Sequence, residues 1–211
     1  MTTAFDPECR RCPRLAAHLD EVRRRHPGYH ARPVPPFGDP QARLLIVGLA
    51  PGYHGANRTG RPFTGDHAGI LLYETLHAFG LASRPVSKEA DDGLRLRGCR
   101  ITNAVKCLPP QNRPTGEEVR NCRAYLAAEL AELAPGSLVL ALGGVAHKAV
   151  VAALGGRQVD HPFAHGAEHR LGELRLLDSY HCSRYNTQTG RLTAEMFQAI
   201  FVRATAMLDE P

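Results

Sequence analysis

Residues 43–50 read RLLIVGLA, with nothing polar between Leu44 and Val47. A strand with one wet face alternates polar and apolar residues, whereas one buried on both faces is apolar throughout. This run therefore predicts a parallel strand covered by helices on each side. Residues 100–107 (RITNAVKC) alternate Ile101, Asn103 and Val105 against Thr102, Ala104 and Lys106 and predict a second strand. Residues 137–144 (SLVLALGG) predict a third, and 172–181 (GELRLLDSYH) hold a fourth. Helical patterns fall between and after them, at 68–79, 115–133, 145–154 and 193–207. Thr115, followed three residues on by Glu118, has the spacing of a capping box. Strands alternating with helices predict a three-layer α/β/α fold around a central four-stranded, mostly parallel sheet.

At 211 residues the chain has the size of a single domain, here read as 1–211 with an N-terminal helical region at 9–26 and a Pro-rich connector at 27–42. Apolar residues at 43% and charged residues at 22% exclude a disordered chain or a fibre. The longest apolar stretch, 133–146, is broken by Pro135 and Gly136, so no membrane span is expected. The first residues, MTTAFDPECRRC, lack the apolar core of a signal peptide, and a cytoplasmic location and a monomer are expected. The net charge is +5, and 23 of the 26 basic residues are arginines. Codon bias and the bidentate grip of arginine on phosphate account for that excess equally well, so a polyanionic partner is permitted rather than demanded.

The stretch from Gly48 to Gly69, GLAPGYHGANRTGRPFTGDHAG, packs six glycines, two prolines and one aspartate into one loop. Glycines let backbone N–H groups approach a ligand, and the helix that follows offers further unpaired donors. The loop has neither the GK[ST] of a phosphate-binding loop nor GxGxxG, which counts against NTP and NAD. Asn103 and His181 fall toward the carboxyl ends of their predicted strands, where ligands of parallel sheets bind. Phe63 lies among polar and glycine neighbours, where core burial is not expected. His147, His161, His165 and His169 carry no assigned role, and most are expected to face solvent.

The chain has six cysteines. In a reducing compartment metal ligation is a better use for them than disulfides. Cys9 and Cys12 form a CxxC pair, and fourteen residues separate Cys107 from Cys122. Four thiolates from two places can close one metal site, and spacing leaves structural zinc and an iron–sulfur cluster both open.

Gly48-Leu-Ala-Pro-Gly followed by Thr59-Gly-Arg-Pro-Phe-Thr-Gly-Asp resembles the first motif of the uracil-DNA glycosylase superfamily, most closely its family 5 (type B) enzymes. His181-Cys-Ser-Arg-Tyr-Asn-Thr resembles the second motif. Between them stand Thr102-Asn-Ala-Val-Lys-Cys and Pro109-Pro-Gln-Asn-Arg-Pro. The resemblance implies a base excision repair enzyme that extrudes a base from DNA and cuts its bond to the sugar. The substrates implied are uracil and other deaminated bases such as hypoxanthine and xanthine, and abasic DNA would also bind. The resemblance makes Phe63 the stacking platform, Asn103 the reader of the base edge and His181 the hydrogen-bond donor to a base carbonyl. Asp66 becomes the carboxylate facing the sugar cation. Gly48, Ala50, Pro51 and Gly52 would shape the base pocket.

Ser183, Arg184, Tyr185 and Arg191 would enter or grip the DNA after the base has left the stack. The family has Pro after the histidine; Cys182 stands there in this chain, which predicts a less rigid loop. The resemblance also favours a [4Fe–4S] cluster on Cys9, Cys12, Cys107 and Cys122, with Cys99 and Cys182 as ordinary buried thiols. No lysine stands at a motif position for Schiff-base chemistry, so no strand cleavage is expected. An alternative of another class is a non-catalytic cysteine–metal module that binds nucleic acid.

Overall fold

In a computed structural model of the chain, residues 5–210 are described; residues 1–4 and 211, the ends of the predicted domain, lie outside them. The strands are β1 (Phe37–Gly38), β2 (Leu44–Gly48), β3 (Cys99–Asn103), β4 (Leu138–Leu142), β5 (Glu168–Leu171) and β6 (Leu174–Ser179). The α-helices are α1 (Pro13–Arg25), α2 (Ala56–Thr59), α3 (His67–Ala78), α4 (Gly116–Ala131), α5 (Gly144–Ala153), α6 (Arg184–Gln188) and α7 (Ala194–Asp209). The strands form one sheet in the order β1-β3-β2-β4-β6-β5.

The four predicted strands are its parallel centre, β3-β2-β4-β6. Two antiparallel edge strands add to it. Successive side chains of β2 leave by opposite faces. Leu44 and Ile46 pack with Leu72 and Leu76 of α3 and Phe197 and Phe201 of α7. Leu45 and Val47 pack with Leu126 and Leu130 of α4 and Val150 of α5. Burial on both sides is the physical reason for the unbroken apolar run.

Two predicted boundaries differ. The second strand stops at Asn103, because the N–H groups of Ala104 and Val105 turn to the carbonyls of Gly48 and Leu49. The predicted helix at 9–26 begins only at Pro13, with Cys12 at its N-cap. Thr115 makes the capping box: its hydroxyl accepts from Glu118 N–H while the Glu118 carboxylate accepts from Thr115 N–H at 2.7 Å. Glu118 also takes Arg14 of α1 on both oxygens at 2.7 Å, tying α1 to α4.

The chain crosses from β2 to β3 on one side and returns past β2 to β4 on the other. Such a reversal leaves a crevice at the carboxyl ends of the strands. The loops after β2, β3, β4 and β6 surround it. A further wall comes from residues 85–88, in a segment held down by Arg61. The Arg61 guanidinium is 4% exposed and donates to Asp92 and to the Ser87 hydroxyl, each at 2.9 Å. No helix of the described residues is long and apolar enough to cross a membrane.

Candidate active site

The crevice is a cavity of about 1130 Å³. Among the residues lining it are Ala50, Gly52, Phe63, Asp66, Asn103 and His181, six of the eight residues predicted for the base pocket and catalysis, and Ser183, Arg184 and Arg191 of those predicted for DNA. Gly48 and Pro51 stand behind the wall rather than on it. Gly48 matters through what it lacks. A Cβ there would lie 2.5 Å from Asn103 Oδ1 and 2.6 Å from Phe63 Cζ. Glycine at the end of β2 therefore lets an amide from β3 and a ring from the following loop meet over one point of backbone.

Phe63 corrects an expectation. It is 5% exposed and belongs to the apolar core, yet it also borders the cavity. Its φ of +54° is a left-handed conformation that bulky residues avoid. The surrounding fold holds it there. Gly69 lies against the Phe63 carbonyl, closer than any Cβ could. The hydroxyl of Tyr73 donates to the neighbouring Pro62 carbonyl at 2.8 Å. The Phe63 ring faces the His181 ring at 26° and 5.8 Å between centroids.

His181 follows β6. Burial lowers its pKa to about 4, so the imidazole is neutral around pH 7. No hydrogen bond from the described residues occupies its ring. Its backbone is fixed, since Asn186 Nδ2 donates to the His181 carbonyl at 2.8 Å. A neutral imidazole with a free N–H is a donor that needs no proton from solution.

Asp66 is the N-cap of α3. One oxygen accepts from Gly69 N–H at 2.9 Å. The other faces Gly52 and Gly55, where a Cβ on Gly55 would overlap the carboxylate. Burial raises the Asp66 pKa, and the N–H groups of Gly69 and Ala68 oppose the rise. The cap orients the group and leaves one oxygen for chemistry.

The stretch after His181 also departs from expectation. It is the short helix α6, with Ser183 as its N-cap and His67 Nε2 within 3.1 Å of the Thr187 hydroxyl. Cys182, just before it, is fully buried. Tyr185 projects from this helix 71% exposed. Arg184 lines the cavity mouth, while the Arg191 guanidinium lies 4.7 Å over the Tyr180 ring as part of the wall.

Sequence reading missed Asn112, Phe163 and Tyr180, all on the lining. Asn112 had a signal in its Pro-Pro-Gln-Asn-Arg-Pro setting, which excludes a strand and a regular α-helix; a distorted 3-10 turn spans Pro110–Asn112, and Gln111 and Asn112 both have φ of +55°. The histidines were misjudged too. His147 is 1% exposed and bonded to Asp178.

Cys9 and Cys12 pack against a small core that includes Cys107, Cys122, Tyr125 and Leu15. Burial raises the Cys107 thiol pKa, and Cys122, Cys9 and Cys12 add to the rise, so the four groups feel one another. Among the described residues no three of these sulfurs lie within 4.8 Å of one another. A single tetrahedral zinc would hold thiolates about 3.8 Å apart. Four thiols gathered on one small core are a donor set of the kind that zinc and iron–sulfur clusters both use. Asn121 Nδ2 donates to Cys12 Sγ and the Lys106 N–H to Cys122 Sγ, each at 3.5 Å. Among the described residues the buried Tyr125 hydroxyl makes no regular hydrogen bond, and it is a further donor for sulfur, with Cys9 beside it.

Sheet and cavity together define the class: an α/β protein with a cavity at the carboxyl ends of its parallel strands. Comparison narrows this, for the family model described as the uracil DNA glycosylase superfamily matches residues 35–204, and the chain belongs to that superfamily. It is 54% identical to the type-5 uracil-DNA glycosylase of Thermus thermophilus over 93% of this chain and 92% of the relative. Identity to the type-5 uracil-DNA glycosylase of Pyrobaculum aerophilum is 46%, over 94% and 88%. The type-5 enzyme of Mycobacterium tuberculosis is also 46% identical, over 93% and 76%.

Gly48→Ala is expected to lower kcat/KM for base release about 100-fold by pushing Asn103 and Phe63 out of place. Steady-state release from damaged duplex, with a melting curve to verify folding, measures this. A variant as fast as wild type would remove Gly48 from the site.

Proposed function

We propose that this protein is a monofunctional uracil-DNA glycosylase of the type-5 kind, hydrolysing the bond between uracil and deoxyribose and leaving an abasic site in an intact strand. The observation that carries this reading is the meeting of Phe63 and Asn103 over Gly48, in one cavity with His181 and Asp66. The ring offers a face for the base. The Asn103 amide has one donor and one acceptor, matching the imide edge of uracil. As the C1′–N bond breaks, its electron pair passes to the base. The neutral His181 donates a hydrogen bond to a base carbonyl where that charge collects, an interaction stronger in the transition state than before it. The free oxygen of Asp66 faces the oxocarbenium-like sugar and directs the water that adds to C1′.

The cavity has room for a purine, which supports hypoxanthine and xanthine as further substrates. Arg184 and the exposed Tyr185 are placed to meet the strand once the base is out, and such contacts survive base loss. Abasic DNA is therefore included as a ligand. Lys106 is buried against Glu129, whereas Lys88 stands exposed on the cavity rim, so borohydride trapping is a fair check on the absence of strand cleavage.

We assign Cys9, Cys12, Cys107 and Cys122 to a [4Fe–4S] cluster. Bound there, it would supply a covalent staple between the start of α1 and the 107–122 segment. Purified protein is expected to be brown, and Cys122→Ser to lose iron while Cys182→Ser keeps it, measured by iron content and visible absorption. Equal iron in both variants would contradict the ligand set.

Base release requires ionised Asp66, so the rate should fall on the acid side through a pKa above the ordinary 3.8. No break is expected in the usual imidazole range, since His181 titrates near 4. Asp66→Asn or His181→Ala should slow release about 100- to 1000-fold while affinity for abasic DNA persists. A pH–rate profile of free uracil release is the measurement. Affinity without any base release by wild type would leave the cysteine–metal binding module in its place.

A further inference from the structure

His147 of α5 lies in the second face of the sheet, away from the four residues above. Its Nδ1 is 2.8 Å from Asp178 Oδ1 on β6, and its Nε2 is 2.8 Å from the carbonyl of His161. Both partners only accept hydrogen bonds when Asp178 is ionised, so both ring nitrogens must donate. That requires the imidazolium. Asp178 is fully buried and needs a counter-charge; its other oxygen takes His169 Nε2 of β5 at 3.2 Å. The three side chains are close enough together for a metal ion. Yet the 2.8 Å contact is a hydrogen-bond length, and protons alone give each carboxylate oxygen a donor.

The His161 carbonyl is two residues from Phe163, with Pro162 stiffening the chain between. Phe163 lines the cavity and packs edge-on against His147 at 5.6 Å. On its other side His165 stacks on Tyr180 at 4.9 Å, and its Nδ1 accepts from Tyr180 N–H. The loop at 154–167 is thus pinned on both sides of the one ring it gives to the cavity. We propose that His147 is a positioning residue: held as an imidazolium between Asp178 and the His161 carbonyl, it sets the Phe163 wall against which the extruded nucleotide binds. Only the kinetic part of this inference rests on the glycosylase reading.

The groups facing His147 are Asp178 from β6, His169 from β5 and His161 from the loop, with Lys148 beside it on α5. Burial alone would lower the His147 pKa; the bond and charge of Asp178 and the His161 carbonyl outweigh it and raise the pKa. The second proton is therefore held to higher pH than on a free imidazole, and it is lost as pH rises through the raised value. With it goes one donor of the clamp.

Nitrogen-15 NMR of the wild-type holoprotein tests the clamp without turnover: both His147 ring nitrogens should be protonated at pH 7. A neutral tautomer, or zinc bound beyond the iron, would overturn the inference. In kinetics, His147→Gln and Phe163→Ala should each raise KM for uracil-containing duplex about 5- to 10-fold with kcat within about twofold. Wild-type KM should climb at alkaline pH, and His147→Gln should flatten that climb. Unchanged KM in the folded Phe163→Ala variant, or an alkaline climb that persists in His147→Gln, overturns it as well. If wild type releases no base, the glycosylase reading fails, and the NMR result still decides the protonation.

Discussion

Gly48 has no side chain, and the space a Cβ would take is filled by the amide of Asn103 and the ring of Phe63. The rest of the site is arranged around that meeting. β2 and β3 run parallel with Gly48 paired to Asn103, so the register itself delivers the amide. Phe63 reaches the same point only by accepting a left-handed backbone, which the Gly69 contact and the Tyr73 hydroxyl hold in place. His181 arrives from β6, and Asp66 from the cap of α3. Four side chains from four elements converge because the sheet reverses direction beside β2.

The electrostatics follow from the same burial. A neutral His181 and a carboxylate with a raised pKa lie in one apolar-walled cavity, where a hydrogen bond is worth more than in water. Each is held through an atom that takes no part in the proposed chemistry. Asn186 grips the His181 carbonyl, and Gly69 holds one Asp66 oxygen. The cysteine lobe lies outside this cavity and is joined to it through β3, since Cys107 follows Asn103 by four residues.

Much of this was legible in the sequence wherever a local rule had one solution. The unbroken run at 44–47 allowed only a doubly covered strand. Thr115 and Glu118 marked the start of α4 because no other spacing closes a capping box. The motif residues around Gly48, Phe63, Asp66 and His181 marked the cavity. Features made by register or by very short elements were not legible. β1 is two residues inside a Pro-rich connector, and β5 is a polar edge strand with no apolar period. α6 has no buried residue and left no helical pattern. Phe63 was misjudged because its sequence neighbours are polar while its spatial neighbours are core. The pairing of His147 with Asp178, thirty-one residues apart, exists only once α5 lies across β6.

In the proposed site Phe63 and Asn103 grip the same base as a unit. A double-mutant cycle on kcat/KM for uracil release from duplex DNA, using Phe63→Ala, Asn103→Ala and the pair, tests it most directly. Residues acting on one bound group should be strongly non-additive, with a coupling above about 1 kcal/mol. Losses that simply add would mean two independent contacts, and would contradict a site built over Gly48.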